Sequence, residues 1–185
     1  MTAFSENETL LAPLPKTLEE FMVWQQTDGF KYEWNNGEII QLRGMDIKQL
    51  FIFEVINDIF NKKEFWKKGT LVAEQNIILN DVQLRRPDIA YFTKLQVQHG
   101  RNGGTQIPEF IIEVISTNDK PYQIEKKITE YFKAGVKVIW NIYPEPELVY
   151  VFTSRKQVQI CMEDDICSAT TVLPEFEVKV SEIFG

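Results

Sequence analysis

The chain has 185 residues, 44% of them apolar and 12% aromatic, and a formal net charge of −7 at neutral pH. That length suits one ordinary domain with its own core, and the acidic balance argues against tight, indiscriminate nucleic-acid binding, which needs a broad basic surface. No stretch approaches the roughly 20 apolar residues of a membrane-spanning helix, and no secretory signal pattern opens the sequence, so the expectation is a cytoplasmic protein without membrane contact.

Residues 1–15 have little periodicity and end in Pro13 and Pro15, which predicts a loose arm ahead of one domain over residues 16–185. Thr17 then opens a helix running to about Gln26. Glu20 stands three residues on, in capping-box spacing, and Leu18, Phe21 and Met22 supply an apolar face. "FKYEWNNGEIIQL" reads as two strands joined at Asn36-Gly37, a strong hairpin signal. From Asp46 to about Asn61, Ile47, Leu50, Phe51, Val55, Ile59 and Phe60 recur at helical spacing. "NKKEFWKKG" follows with a cluster of lysines, read as a solvated face, as are Arg85 and Arg86.

Three strand-like runs come next: "TLVAEQNIIL", "RRPDIAYF" and "PEFIIEVIS". Between the last two lies "QHGRNGG", read as a Gly/Asn-rich loop holding the one histidine, His99, which makes a Ser-His or Cys-His nucleophile improbable. "DKPYQIEKKITEYFKAG" is a helix with Pro121 in its first turn and Gly135 just past its end. The tail reads as β, through "VIWNIY", "ELVYVF", "VQICM" and "LPEFEVKVSEIF". Cys161 and Cys167 lack a second Cys/His pair and are read as free thiols. The order of elements predicts a mixed α/β domain.

One residue stands out against this background. Glu113 lies in the middle of an apolar strand, where an uncompensated carboxylate costs several kcal/mol. A salt-bridge partner, a bound cation or a raised pKa would each compensate it. On the following helix, with Ile124 set to zero and about 100° per residue, Lys127 falls at about −60°, at the border of the apolar face, while Lys126 and Lys133 fall near 200° and 180° and point to solvent. Asp88 follows Pro87 at a strand start. If the two strands are adjacent, Asp88 and Glu113 form an oxygen-rich pair that suits Mg²⁺ or Mn²⁺.

"KYEWNNGEI", "RRPDIAYF", "EFIIEVIS", "EKKITEYFKAGVKVIWNIYPEPELVYVF" and "LPEFEVKVSEIF" together resemble the Uma-type restriction endonucleases, a branch of the PD-(D/E)XK nuclease superfamily, from about residue 17 to the end. The resemblance implies a restriction-endonuclease-like fold, a mixed sheet flanked by helices with an N-terminal helix and hairpin. It implies an Mg²⁺- or Mn²⁺-dependent endonuclease acting on DNA, with a homodimer expected because dimers are common among such nucleases. Asp88 takes the "PD" place and Glu113 the "(D/E)" place, both as metal ligands. Ile115 stands where the motif lysine belongs, and Lys127 matches the place to which that role has moved. Glu33, in "KYEW", matches a further acidic position near the metal. Lys48 replaces a usual histidine and Glu175 a usual glycine.

Other readings of the same residues remain open at this level. Glu113 and Lys127 would also make a structural ion pair, Asp88 a turn cap and Glu33 a solvated hairpin residue. The chain as a whole would then be an inactive nuclease-like binding or regulatory module, or a structural domain.

Overall fold

The computed structural model describes residues 13–42 and 44–185, so most of the expected arm lies outside the described residues. In chain order the elements are α1 (Leu18–Val23), β1 (Lys31–Asn35), β2 (Glu38–Leu42), α2 (Ile47–Lys62), a 3-10 turn (Phe65–Lys67), β3 (Gly69–Ala73), β4 (Ile77–Asn80), β5 (Gln83–Arg85) and β6 (Ile89–Thr93). Then follow α3 (Lys94–Arg101), β7 (Phe110–Val114), α4 (Pro121–Ala134), β8 (Val138–Tyr143), β9 (Leu148–Ser154), β10 (Gln157–Met162), β11 (Ile166–Ser168), β12 (Glu177–Lys179) and α5 (Val180–Phe184).

The large sheet has six strands in the order β10-β9-β8-β7-β6-β3, and a smaller one has four in the order β2-β1-β5-β4. Within the large sheet β7 and β8 run parallel, and α4 is the crossover that joins them. Period-two alternation along β7 divides the core. Phe110, Ile112 and Val114 pack with Ile52, Ile56 and Phe60 of α2 and Ile183 of α5, whereas Ile111 faces Ile128 and Tyr131 of α4. The smaller sheet lies against the other side of α4, with its own cluster of Leu18, Phe21, Trp34 and Leu84.

Local chemistry accounts for most boundaries. Asn36 and Gly37 adopt φ values of 50° and 88°, as a tight two-residue hairpin turn requires. Asp46 and Gln49 form a capping box at the start of α2. Pro121 sits in the first turn of α4, and Gly135 ends it at φ 111°. Glu175, at the place where the resemblance implies a glycine, takes a positive φ of 71°.

Several expectations need correction. α1 ends at Val23 rather than near Gln26, because Trp24 leaves the helix and packs on Phe21 and Tyr32. The run 70–79 is two strands in two sheets. Glu74 breaks it at φ 50°, ion-paired to Lys31 and accepting from the Met45 N–H at 3.1 Å. The expected Gly/Asn loop contains α3, which Thr93 and Gln96 cap reciprocally, and His99 lies in its last turn. α2 carries apolar residues on nearly every side, and the side that packs is Ile52, Ile56 and Phe60, leaving Ile47, Leu50 and Phe51 exposed. The tail ends in α5 rather than in a strand. Cys161 and Cys167 are free, as expected, and buried.

Candidate active site

The sheet register aligns the polar residues. Ile89 of β6 pairs with Ile112 of β7, so Asp88 falls opposite Glu113, and Glu113 in turn pairs with Asn141 of β8. In-register neighbours share a face, and this face looks toward α4. Asp88, Glu113, Lys127 and Glu33 all line one cavity of about 640 Å³, with Tyr131 and Asn141 at its wall.

Glu113 is 7% exposed. Its Oε1 accepts a 2.5 Å hydrogen bond from the Tyr131 hydroxyl, and Lys127 Nζ stands 3.4 Å from both of its oxygens. These lysine contacts are longer than a well-formed charge-assisted bond of about 2.8 Å. Asp88 Oδ2 accepts from the backbone N–H of Val114 at 2.7 Å. Burial and the adjacent Glu113 charge push the Asp88 carboxyl up to about 7. Burial also raises Glu113, against the opposing pull of Lys127 and Tyr131. Lys127 is raised despite burial, because Glu113 and Glu33 favour its charged form.

A second buried cluster adjoins the first. Arg85 of β5 donates from Nε and an Nη to one oxygen of Glu130 on α4, at 2.8 and 2.6 Å, and from its other Nη to Glu33 of β1 at 2.8 Å. The second oxygen of Glu33 accepts from the Arg86 N–H at 2.9 Å and lies 3.4 Å from Lys127 Nζ. Burial alone would raise the Glu33 carboxyl, but Lys127 and Arg85 outweigh it and hold it low. Glu33 is thus fully inside and fully partnered, not a solvated hairpin residue.

All four residues expected from sequence therefore meet in one place. Lys127 reaches inward as the wheel required, and Lys133 is exposed. Lys126, however, lines the cavity rather than standing in solvent. In the amide orientation that satisfies its neighbours, Asn35 presents its oxygen to Lys126 Nζ at 2.5 Å. The smaller sheet supplies that partner, and it covers the helix face that a single-sheet picture leaves open.

Arg85, Glu130, Tyr131 and Asn141 escaped the sequence reading. Arg85 passed for surface charge, Tyr131 carries no signal that separates it from an ordinary core aromatic, and Glu130 sits on the far side of the helix wheel. Asn141 carried no signal beyond being an amide in an apolar strand. Both of its side-chain atoms are buried without a hydrogen-bond partner in the described residues. Ile115, in the usual place of the motif lysine, also lines the cavity, and Lys48 pairs instead with Glu145 at 2.6 Å on the surface.

The donor set fits a divalent cation. Across the two clusters the four carboxylates of Glu33, Asp88, Glu113 and Glu130 are set against the two cations Arg85 and Lys127, two acids to each cation, and burial raises the carboxyls of Asp88 and Glu113. No group of three or more His, Cys, Asp or Glu residues suited to a metal occurs among the described residues. Two hard carboxylates nevertheless suit Mg²⁺, which commonly keeps several waters and adds substrate phosphate to one or two protein ligands.

This mixed sheet flanked by helices, with α4 as its crossover, is a restriction-endonuclease-like fold. The chain belongs to the Uma2 family, described as "Putative restriction endonuclease", which it matches over residues 18–181. Among solved structures it is similar to a protein from Anabaena variabilis described as "a putative nuclease belonging to DUF820". The TM-score is 0.75, with 23% identity over 92% of this chain and 98% of that one. No curated protein matches it. No helix among the described residues is long and apolar enough to cross a membrane.

Proposed function

We propose that this chain is a divalent-cation-dependent endonuclease that hydrolyses phosphodiester bonds of DNA. The observation that carries the reading is that the sheet register sets Asp88 opposite Glu113 in one cavity, with Lys127 Nζ 3.4 Å from Glu113, in a chain of this family. Asp88 and Glu113 would hold Mg²⁺ or Mn²⁺, which when bound would polarise a phosphoryl oxygen and acidify a water.

The protein's own groups divide the remaining work. The Tyr131 hydroxyl fixes Glu113 Oε1, while Oε2 has Lys127 Nζ at 3.4 Å. Lys127, whose charged form Glu113 and Glu33 favour, would orient the attacking water or offset charge building on phosphorus. Glu33 has both oxygens engaged by Arg85, Arg86 and Lys127, so its part is to position the lysine. Arg85 holds Glu33 and α4 in register.

An inactive binding module is the second reading, favoured by Ile115 in the motif lysine's place and by Lys48, whose ammonium is tied to Glu145. Nicking of supercoiled plasmid with Mg²⁺ or Mn²⁺ decides between them. Wild type should convert the plasmid and Asp88→Ala should not. A wild type without turnover would favour the module.

A further inference from the structure

The lysine cluster of "NKKEFWKKG" plays no part in the site above. It surrounds Trp66, which is 52% exposed on the 3-10 turn between α2 and β3. Lys67 Nζ stands 5.6 Å from the ring centroid and Lys94 Nζ 6.0 Å from it, while Lys68 Nζ stands 4.9 Å from the Phe65 ring. Lys63 is not part of the group, since its ammonium bonds the Glu177 carbonyl at 2.6 Å. One acid, Glu64, pairs with Lys67 at 2.7 Å across a largely exposed surface, an interaction worth little in water.

The patch is built rather than loose. The Lys94 N–H bonds the Lys68 carbonyl at 3.2 Å, tying the start of α3 to the 3-10 turn. Gly69 follows at once, and a Cβ there would lie 2.2 Å from the Phe92 carbonyl oxygen and 2.7 Å from the Tyr91 ring. Only glycine permits β3 to begin so close to β6, and that approach sets where Trp66 and its lysines project. Phe65 anchors the turn in the core against Phe60 and Phe176.

Lys67 and Lys94 lie over the ring on long flexible stems, so an incoming base can take the ring face while the ammonium groups move to the adjoining phosphates, the chemistry that holds single-stranded nucleic acid. In a chain of net charge −7, it offers polyanions a local foothold. The patch also sits at the far end of the sheet from the candidate site. From Asp88 to Lys94 the chain runs the length of β6, about 20 Å at roughly 3.3 Å per residue.

We propose that Trp66, Lys67, Lys68 and Lys94 form a second nucleic-acid site, one that binds single strands by stacking on Trp66. The choice of a nucleic acid over other polyanions rests on the nuclease reading, but binding at the patch needs neither the divalent ion nor Asp88.

The test is fluorescence anisotropy with labelled oligothymidylate and the full chain in EDTA, where cleavage is silent. Trp66→Ala should weaken binding about tenfold or more, within the range for losing one stacked base. Trp66→Phe, which keeps a stacking face, should recover most of the affinity, so a folding defect in the alanine variant cannot pass for support. Lys67→Glu with Lys94→Glu should weaken binding further and flatten the salt dependence of log K by about 1.4, at roughly 0.7 for each phosphate that is no longer neutralised. Lys133→Ala, an exposed lysine of α4 outside the patch, should bind like wild type. If wild type never cuts plasmid yet shows this Trp66 dependence, the patch stands and the cleavage reading falls. Unchanged oligothymidylate binding in Trp66→Ala would overturn the proposal. So would a Trp66-dependent affinity found for phosphatidylcholine–phosphatidylserine vesicles and absent for the oligonucleotide.

Discussion

The two sides of α4 carry two buried charge clusters with opposite character. Toward the smaller sheet, Arg85 bridges Glu33 and Glu130 with hydrogen bonds of 2.6 to 2.8 Å, and the Glu33 carboxyl is held low. Toward the larger sheet, Lys127 stands 3.4 Å from Glu113, and both acids there are raised. Each cluster sets two carboxylates against one cation, so a count of charges does not divide them. Where the contacts are short and every Arg85 bond is made, the cluster stabilises a fold; where they are long and burial raises the acids, the pair is arranged for a ligand that brings positive charge. Burial is common to both, so it is the length of the contacts and the direction of the carboxyl shifts that separate scaffold from site.

Removing a cation should expose the difference most sharply. Arg85→Ala strands Glu33 and Glu130 inside and should cost about 3–5 kcal/mol, read by urea denaturation, with no recovery on adding Mg²⁺. Lys127→Met keeps the stem's packing and loses the charge. Lys127 is 23% exposed, and its ion pairs are long, so the loss should be smaller, about 2 kcal/mol, by the same reasoning about stranded charge. Here Mg²⁺ should restore stability while plasmid cleavage stays absent. Equal behaviour of the two variants toward Mg²⁺ would break the comparison.

Acidity gives the next effect. Asp88 has an ordinary value of 3.8 and a folded value of about 7, so the folded chain holds its proton more tightly than the unfolded one. Its contribution to stability is complete below about pH 4 and is lost as the pH rises to about 7. Glu113, also raised, acts in the same direction, whereas Glu33, held low, opposes it at the acid end. Melting in EDTA should therefore show Asp88→Asn losing less stability than wild type between these pH values. A steeper loss in Asp88→Asn would contradict the assignment of strain to this pair.

The smallest effect belongs to Tyr131→Phe, which removes one hydroxyl from Glu113. A hydrogen bond to a charged group is worth about 1.5–3 kcal/mol, and the low end should apply, since Lys127 still faces the carboxylate. Because Glu113 would lose the bond that fixes its geometry, cleavage should fall more than stability does.

How much of this could be read from the residues follows the same division. Glu113 announced itself because a lone acid in an apolar strand violates local patterning, and Lys127 could be placed because a helix repeats at a fixed angle. Both depend on one element at a time. Arg85 and Glu130 meet only after the smaller sheet closes over the outer side of α4, and a helix wheel drawn against one sheet assigns that side to solvent. The same closure explains Lys126. Glu74, a single residue at positive φ, divided one apparent strand between two sheets, and no neighbouring Gly or Pro signalled the break.

The central claim is that Asp88 and Glu113 form a divalent-cation site while the Arg85 cluster does not. Calorimetric titration of Mn²⁺ into the chain at pH 8, above the value of about 7 to which Asp88 is raised, addresses it directly. Wild type should bind one ion per chain, and Asp88→Ala and Glu113→Ala should bind none. Glu130→Gln, if folded, should bind as wild type does. Failure of wild type to bind Mn²⁺, or undiminished binding in Asp88→Ala, would contradict the account.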